Sequence, residues 1–246
     1  MVGGEIETAY PGNDRIIHMG KRPKGIIVAI DGPAGVGKST IGRMVASSLG
    51  YSFISTGKMY RALAWKALAS GADLGDEAAL MRLARAIKWE LKPSGTPEPM
   101  LCLDGAVLDR EITDETVGKA SSSISKFAAV RVFMRDMQRA AGAEGGVVME
   151  GRDIGTNVFP DAELKIYLDA SPEARARRRA GQLRDQGLEA DYGAILDFII
   201  KRDEQDSGRK NNPLKQAEDG HYLDSTSLSR EAVVAEILGL CDKVMA

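Results

Sequence analysis

The sequence predicts an α/β fold in which a mostly parallel sheet is flanked by helices. Residues 25–30 form a continuous run of apolar, mostly branched side chains, which is typical of a strand buried on both faces. A glycine-rich segment follows directly, and apolar side chains then recur at helical spacing from residue 41 to residue 49. Strand-like and helix-like segments alternate further along the chain, which favours parallel strands joined by right-handed crossovers.

The later elements are predicted by the same signals. Helical spacing or helix-start residues indicate helices at residues 59–70, 78–87, 126–141, 172 to about 184, 192–206 and 231–244. Short apolar runs indicate strands at residues 147–149 and 164–168. Residues 208–220 are polar and are expected to form a loop. Residues 1–24 are polar, glycine-rich and unpatterned, which predicts a disordered leader.

A small β-rich insert is expected within this core, at about residues 76–117. Strand-like pieces at residues 87–91 and 100–103 flank a segment rich in proline and glycine. Asp104-Gly105 indicates a tight turn directly after the second piece.

The composition limits the classes of function. The 246 residues include 33 Lys+Arg and 35 Asp+Glu, and this balance argues against a broad DNA- or RNA-binding surface. The two cysteines lie far apart, which argues against a disulfide framework and a cysteine-based zinc site and favours a reducing compartment. No segment approaches the ~20 apolar residues of a membrane helix. We therefore expect a soluble, cytoplasmic protein that binds neither nucleic acid nor membrane.

Residues 32–39 have the phosphate-binding pattern G-x-x-x-x-G-K-[ST], between a predicted strand and a predicted helix as the pattern requires. Glycines let backbone N–H groups converge on phosphate oxygens, and the helix N-terminus adds partial positive charge. Lys38 supplies a cation for the β- and γ-phosphates, and the Ser39 hydroxyl is suited to ligate Mg²⁺. An ordinary glycine-rich turn would need no Lys-Ser pair. Asp31, just before the loop, either holds a magnesium-bound water or caps the turn.

Phosphate loops occur in GTPases, in motor-type ATPases and in small-molecule kinases. GTPases usually carry an NKxD-type base-reading motif, and the residues NNPL at 211–214 do not match it. A small-molecule kinase needs an arginine-rich pocket for its acceptor, and arginines cluster in the second half of this chain. The sequence therefore favours a kinase.

Several segments together resemble the bacterial cytidylate kinases of the nucleoside monophosphate kinase family. They are IDGPAGVGKST at 30–40, STGKMYR at 55–61, EGRDIGT at 150–156, VFPDA at 158–162, LDAS at 168–171, KRD at 201–203 with Asp206, Arg209, Pro213 and Leu214, and LDST at 223–226. The resemblance covers nearly everything from Gly25 to the C-terminus. A colinear set of this kind is far more specific than the phosphate loop alone.

The resemblance implies transfer of the γ-phosphoryl group of ATP to CMP or dCMP, with Mg²⁺ as the cofactor. It also implies a P-loop kinase core with a nucleoside-monophosphate-binding insert at about 76–117 and a mobile lid at about 174–209. ATP and CMP or dCMP are the expected partners, and a monomer is the expected state.

The resemblance also assigns roles to individual residues. The expected ATP-binding residues are Gly32, Pro33, Ala34, Gly35, Val36, Gly37, Lys38, Ser39, Thr40 and the lid residue Arg178. Ser39 is the expected metal ligand. The expected CMP-binding residues are Thr56, Arg61, Ser122, Arg131, Arg152, Arg202, Asp206 and Arg209. The expected catalytic residues are Lys38, Arg152, Asp153, Arg202 and Arg209.

Within the acceptor set, Thr56 would hydrogen-bond the nucleotide and Arg61 would hold its phosphate. Arg131 would read the base, because its planar paired donors suit the O2 and N3 acceptors of cytosine. Ser122, one of four serines in this segment, would join it. Arg202, Asp206 and Arg209 have the spacing i, i+4 and i+7, which predicts that they share one helix face toward the active site, although an isolated i,i+4 Arg–Asp pair elsewhere only supports a helix.

The chain departs from the family pattern at four positions. Ser55 and Glu150 stand where the family often has aspartate, Lys58 where it has a small residue, and Ala128 where it usually has proline. Lys58 places a cation near the acceptor site, where it is either surface charge or alters acceptor preference. These departures bear on fine specificity and not on the reaction class.

Two alternatives stay open at this point. One is a kinase for another small acceptor, such as UMP, AMP or shikimate. The other is a regulatory module that binds ATP without turnover. The arginine-rich acceptor set argues against the regulatory module, since a sensor needs no second anion pocket.

Overall fold

The computed structural model describes residues 22–246 of the chain. Its main sheet contains five strands, β1 (Ile27–Asp31), β2 (Ser52–Ser55), β6 (Val147–Gly151), β7 (Leu164–Asp169) and β8 (His221–Asp224). Their order across the sheet is β2-β6-β1-β7-β8, and every neighbouring pair is parallel. The predicted mostly parallel sheet is confirmed.

Eight helices accompany the sheet within the described residues. They are α1 (Lys38–Leu49), α2 (Thr56–Ala69), α3 (Glu77–Ala86), α4 (Glu115–Ile124), α5 (Ala128–Gly142), α6 (Pro172–Asp185), α7 (Tyr192–Ser207) and α8 (Arg230–Met245). No helix between residues 22 and 246 has both the length and the apolar content needed to cross a bilayer.

Side chains of the central strand alternate between two apolar layers, as the period of a strand requires. Ile27 and Ala29 pack in one layer with side chains of α2, α4 and α5. Val28 and Ile30 pack in the other layer with side chains of α1 and α8. All four are fully buried, which explains why this strand has a continuous apolar sequence.

A second, antiparallel sheet contains β3 (Trp89–Lys92), β4 (Met100–Leu103) and β5 (Ala106–Leu108). It lies within the segment expected to form the insert. Asp104 and Gly105 connect β4 to β5 with φ values of 52° and 84°. Two positive φ values in succession are what a tight hairpin turn requires, which accounts for the Asp-Gly pair.

Four elements were not predicted from the sequence, namely β2, β5, β8 and α4. The three strands have only three or four residues each, too few for a periodic signal. Helix α4 contains one glycine and three serines, which are weak helix formers. It is stabilised instead by packing, because Val117, Ala120, Ser121 and Ile124 are buried at helical spacing.

Residues 1–21 of the predicted leader lie outside the described residues. Residues 22–24 are in contact with the folded chain. Arg22 Nη2 lies 2.6 Å from Asp161 Oδ2, and the Arg22 guanidinium also pairs with Glu163. The backbone N–H of Lys24 donates to the Glu144 carbonyl at 3.0 Å.

Candidate active site

Three segments leave the main sheet at the same edge. In the strand register Asp31 lies beside Gly151, and Ser55 lies beside Glu150. The phosphate loop follows β1, the predicted acceptor helix α2 follows β2, and Arg152 follows β6. Because carboxyl ends of parallel strands form the ligand-binding edge of such sheets, residues far apart in the sequence are brought to one place.

Glycines are required in the phosphate loop for two different reasons. Gly37 precedes α1 with a φ of 104°, a conformation that side chains of L-residues rarely adopt. Gly32 has a φ of 152°, and a Cβ there would lie 2.0 Å from the carbonyl oxygen of Leu168. The loop therefore packs directly against β7 and ends at the N-terminus of a helix, which suits it to bind an anion.

Lys38 lies inside this loop and is almost fully buried. Its Nζ donates to the carbonyl oxygens of Gly32 at 2.9 Å and Pro33 at 2.7 Å. Burial, with the nearby charge of Arg152, lowers the pKa of Lys38 to about 7. Burial also raises the pKa of the neighbouring Asp31 carboxyl to about 7.

We expect ATP binding to take up a proton from solution at about pH 8, where a lysine with a pKa near 7 is mostly neutral. Phosphate oxygens favour the ammonium form of Lys38, so its pKa must rise when they bind. They also favour the protonated form of Asp31, so both groups change in the same direction. Calorimetric titration in two buffers of different ionisation enthalpy measures this uptake. Equal binding enthalpies in the two buffers would contradict it.

Asp31 has a structural partner after β6. Its Oδ1 accepts from the backbone N–H of Ile154, and its Oδ2 from that of Gly155, both at 2.8 Å. These N–H groups begin a π-helical turn, Ile154–Val158. Asp31 therefore caps a turn, although it is the turn after β6 and not the phosphate loop.

Glu150 joins three segments at the site edge. Its Oε1 accepts from Ser39 Oγ at 2.9 Å and from Ser55 Oγ at 2.6 Å. Its backbone carbonyl accepts from Thr56 Oγ1 at 2.8 Å. The Glu150 side chain thus holds the start of the phosphate-loop helix α1 next to the end of β2. In the sequence Glu150 is a departure from the family pattern, and no role was predicted for it.

The oxygen donors around Ser39 fit a magnesium ion. The described residues contain no group of three or more His, Cys, Asp or Glu side chains placed to hold a metal. Mg²⁺ is commonly bound through one or two protein oxygens with substrate phosphates and waters completing the shell. The Ser39 hydroxyl and the Glu150 carboxylate, 2.9 Å apart beside the phosphate loop, suit such a shared site.

Asp206 is the centre of an arginine cluster. Its side chain is almost fully buried, and Oδ2 accepts from Arg152 Nε at 2.7 Å. Oδ1 accepts from Arg209, which lies just beyond the end of α7. Burial alone would raise the pKa of Asp206, but the two arginines outweigh it and lower the pKa. The carboxylate therefore stays ionised and orients both guanidinium groups.

Arg202 is the third cation of this cluster. Burial, together with the nearby Arg152, lowers its pKa to about 10. Its Nε is buried and has no hydrogen-bond partner among residues 22–246. A buried, unpartnered donor is costly unless something accepts from it, which makes Arg202 a cation suited to an anionic ligand.

Arg131 is oriented by a separate carboxylate. It is buried, and Nη2 donates to Asp153 Oδ2 at 2.6 Å. The same oxygen accepts from Asn157 Nδ2 at 2.9 Å. Arg131 Nη1 reaches the Ser125 carbonyl at 3.4 Å, and its Nε has no partner among the described residues. Arg131 and Asp153, which the resemblance assigned to separate roles, are thus brought together, and the Nε donor of Arg131 is left for a ligand.

Two serines at the end of α4, Ser122 and Ser125, differ in their contacts with Arg131 and Arg209. Ser125 Oγ is 3.4 Å from Arg209 Nη2 and donates to the Ser122 carbonyl at 2.9 Å. The only contact of Ser122 among the hydrogen bonds of the described residues is therefore through its backbone. The base-reading role of Ser122 stays a prediction. Ser125, which the sequence did not single out, is a neighbour of both Arg131 and Arg209.

Thr56 and Arg61, both predicted to bind the acceptor, lie on α2. Thr56 is buried at the start of α2. Arg61 Nη1 donates to the carbonyl oxygens of Ile112 at 2.9 Å and Asp114 at 3.3 Å, between the small sheet and α4. Burial lowers the pKa of Arg61, and the charge of Arg179 adds to the effect. Arg61 thus donates to the segment between the small sheet and α4, and no hydrogen bond or ion pair among the described residues joins it to Asp206.

Two arginines of α6 contact the phosphate loop. Arg178 Nη1 lies 3.4 Å from the Val36 carbonyl, and Nη2 donates to the Ser225 carbonyl at 2.5 Å. Arg175 is 2% exposed, and Nη1 donates to the Ala34 carbonyl at 3.1 Å. Its Nη2 pairs with Asp203 of α7 at 2.5 Å. The charges of α6 therefore include two structural links between the phosphate loop and the predicted lid.

Comparison with known proteins places this geometry in a family. A sequence model of the family described as cytidylate kinase matches residues 28–243. A cytidylate kinase from Pelotomaculum thermopropionicum is 46% identical over 211 residues, which are 86% of this chain and 93% of the relative. A cytidylate kinase from Geobacillus kaustophilus is 46% identical over 218 residues, 89% of this chain and 97% of the relative.

Similarity to solved structures concerns the fold alone. An uncharacterized protein from Eubacterium ventriosum has a TM-score of 0.50 and 12% sequence identity, with 88% of this chain and 98% of that chain covered. Membership follows from the sequence matches, which extend from β1 to α8 and include every segment of the site described above. The chain belongs to the cytidylate kinase family.

Proposed function

We propose that this chain transfers the γ-phosphoryl group of ATP to CMP or dCMP, and releases ADP with CDP or dCDP. The observation that carries the proposal is the arginine cluster of Arg152, Arg202 and Arg209 around Asp206, next to a phosphate loop. A protein that only binds ATP needs one anion site, whereas a phosphotransferase needs two that face each other. Family membership supports CMP or dCMP as the acceptor.

The reaction needs positioning and charge more than it needs a base. The acceptor is a phosphate, which is already anionic near neutral pH, so no strong general base is required. The backbone N–H groups of residues 32–40 and the ammonium group of Lys38 would hold the donor phosphates, with Arg178 beside them. Arg152, Arg202 and Arg209 would neutralise the charge that develops between the two nucleotides.

Bound Mg²⁺ would supply further neutralisation of the phosphate charge. Ser39 is the residue that we propose as its protein ligand, with Glu150 positioned to hold the hydroxyl or a bound water. The Ser39 side chain on α1 and the Glu150 side chain on β6 are held by the hydrogen bond between them, and Ser55 also donates to Glu150. The chain itself therefore contributes orientation rather than a complete metal shell.

Recognition of the acceptor would divide between its phosphate and its base. Arg61 and Arg152 are proposed for the phosphate, and Arg131 for the cytosine O2 and N3. Asp153 fixes the orientation of Arg131 and is a positioning residue in this scheme. Thr56, Ser122 and Asp206 complete the proposed set.

The proposal also assigns roles to two segments of the chain. Residues 76–117 would form the insert that receives the acceptor, and residues 174–209 the lid that excludes water from ATP. The lid segment includes α7 and most of α6, which are packed together. We also propose a cytoplasmic monomer, and the two described cysteines are buried and free, as suits a reducing compartment.

The test is ADP production from ATP and Mg²⁺ with CMP, dCMP, UMP, AMP or shikimate supplied one at a time. We expect strong stimulation by CMP and dCMP alone. Stimulation by another acceptor would keep the phosphotransferase but remove the base-reading role of Arg131. Binding of ATP without stimulation by any acceptor would favour the regulatory module.

A further inference from the structure

A short loop of the small sheet crosses to the edge of the main sheet. This strap, residues 93–99, connects β3 to β4 and contains three prolines. The carbonyl oxygen of Pro97 accepts from the backbone N–H of Phe53 at 2.8 Å. Phe53 belongs to β2, which is an edge strand of the main sheet, so the strap covers an N–H that would otherwise be open.

The strap is rigid enough to place a side chain. Three of its φ angles are fixed by proline rings. The Glu98 carbonyl oxygen accepts from Ser94 Oγ at 2.6 Å and from Thr96 Oγ1 at 3.1 Å. These bonds lie within the strap, so the backbone at Glu98 is held locally and its side chain is directed at α1 and α2.

The Glu98 carboxylate lies between two cations from different helices. Oε2 pairs with Arg43 Nε of α1 at 2.6 Å, and Oε1 pairs with Lys58 Nζ of α2 at 2.7 Å. The Glu98 side chain is mostly buried. Burial alone would raise its pKa, but the pairing with Arg43 and Lys58 outweighs it and lowers the pKa.

Each of these cations is close to one half of the proposed site. Arg43 lies one turn after Ser39, and its Nη1 is 3.4 Å from the Ser39 carbonyl. Its guanidinium also lies 5.2 Å from the centre of the buried Phe53 ring. Lys58 lies two residues after Thr56, in the first turn of α2. The contacts of Glu98 therefore join the phosphate-loop helix α1 to the acceptor helix α2.

We propose that Glu98 is a positioning residue that couples the acceptor helix α2 to the phosphate-loop helix α1 through its contacts with Lys58 and Arg43. The inference rests on the proposed function and adds a residue to it. In this scheme Lys58 acts as the partner of Glu98, and its charge is not free to act on the acceptor. Loss of the carboxylate would let α2 shift relative to α1, and acceptor binding would weaken more than donor binding.

The variant Glu98→Gln tests the proposal, with Glu90→Gln as the matched control. Glu90 lies in the same small sheet, and its ion pairs among residues 22–246 are with Lys88 and Lys92 on the surface. We expect the dissociation constant of CMP, measured by calorimetry, to rise about fivefold to tenfold in Glu98→Gln. The dissociation constant of ATP should stay within about twofold, and Glu90→Gln should change neither.

A double-mutant cycle with Lys58→Met identifies the route of the effect. If Glu98 acts through Lys58, the two substitutions together should weaken CMP binding no more than the larger of them alone. Fully additive effects would overturn the coupling. Equal weakening of ATP and CMP binding together with a lower melting temperature would also overturn it, since that pattern indicates a general structural role.

Hydrogen exchange tests the strap without any nucleotide. Glu98→Gln should speed exchange at the amide of Phe53 and in the second turn of α2, whose amides donate to carbonyl oxygens of the first turn, and Glu90→Gln should not. Unchanged exchange at these amides would overturn the proposal whatever the substrate proves to be. If wild-type protein binds another acceptor in place of CMP, the proposed function fails and the same cycle is run with that acceptor.

Discussion

Replacement of Lys38 by methionine is expected to lower kcat by about a thousandfold. Lys38 is the lysine of the phosphate loop, and its Nζ is surrounded by carbonyl oxygens of the loop itself. A methionine fills a similar volume without charge, so it cannot stabilise negative charge on the transferring group. The chain should stay folded, because burial of the lysine charge is itself unfavourable, as its lowered pKa shows.

The measurement is kcat for ADP production, with the free energy of unfolding from urea titration as the check on folding. Lys165→Met is the matched control. Lys165 is also buried, but it lies on β7 and pairs with Asp219 away from the phosphate loop. The control should lose stability and keep its kcat, which is the opposite pattern. Near wild-type kcat in a folded Lys38→Met protein would remove the phosphate loop from the mechanism.

Local patterns in the sequence were enough to predict the phosphate loop and the sheet that carries it. Gly37 is required by the backbone of the loop itself, whereas Gly32 is required by the close approach of Leu168 on β7 and was recognisable only because it belongs to the glycine-rich pattern. The apolar run before them is continuous because both faces of β1 are covered. Features of this kind leave a direct trace in the sequence, so the α/β core could be predicted without knowledge of any relative.

The ion-pair partners of the charged residues could not be predicted from local sequence patterns. Arg152 is paired with Asp206, which lies 54 residues away, and Lys58 is paired with Glu98. Ion pairs of this kind depend on how strands and loops are placed in space, and spacing along the chain carries no information about them. The resemblance to a family pointed to Arg152 and Asp206 individually, but only the structure joins them.

Arg175 is a second charged residue whose surroundings could not be predicted from the sequence. On a helix as rich in arginine as α6, a charged side chain is most simply interpreted as exposed to solvent. The structure buries Arg175 and surrounds it with the carbonyls of Ala170 and Ala34 and the carboxylate of Asp203. Composition cannot distinguish a buried arginine from its exposed neighbours, because burial is decided by the packing of α6 against α7 and the loop.

The second large effect is expected from Asp206→Ala, which should lower the free energy of unfolding by about 3–5 kcal/mol. The substitution leaves Arg152 and Arg209 largely buried without their carboxylate. Because the pKa of Asp206 lies below its usual value of 3.8, the ion pairs stabilise the fold fully at neutral pH. The stabilisation is lost only as the pH falls below that value.

Urea unfolding at neutral pH measures the loss, and Asp136→Ala serves as the control. Asp136 pairs with Arg135 on the surface, so its removal should change stability by less than about 1 kcal/mol.

An added anion separates the ion-pair explanation from simple loss of packing. Inorganic phosphate should stabilise Asp206→Ala more than the wild type, because two unpaired guanidinium groups bind an anion better than two paired ones. If phosphate stabilises both proteins equally, or if the loss is below about 1 kcal/mol, then Asp206 does not hold the arginines in place. In that case another group would have to hold the arginines of the proposed acceptor pocket in place.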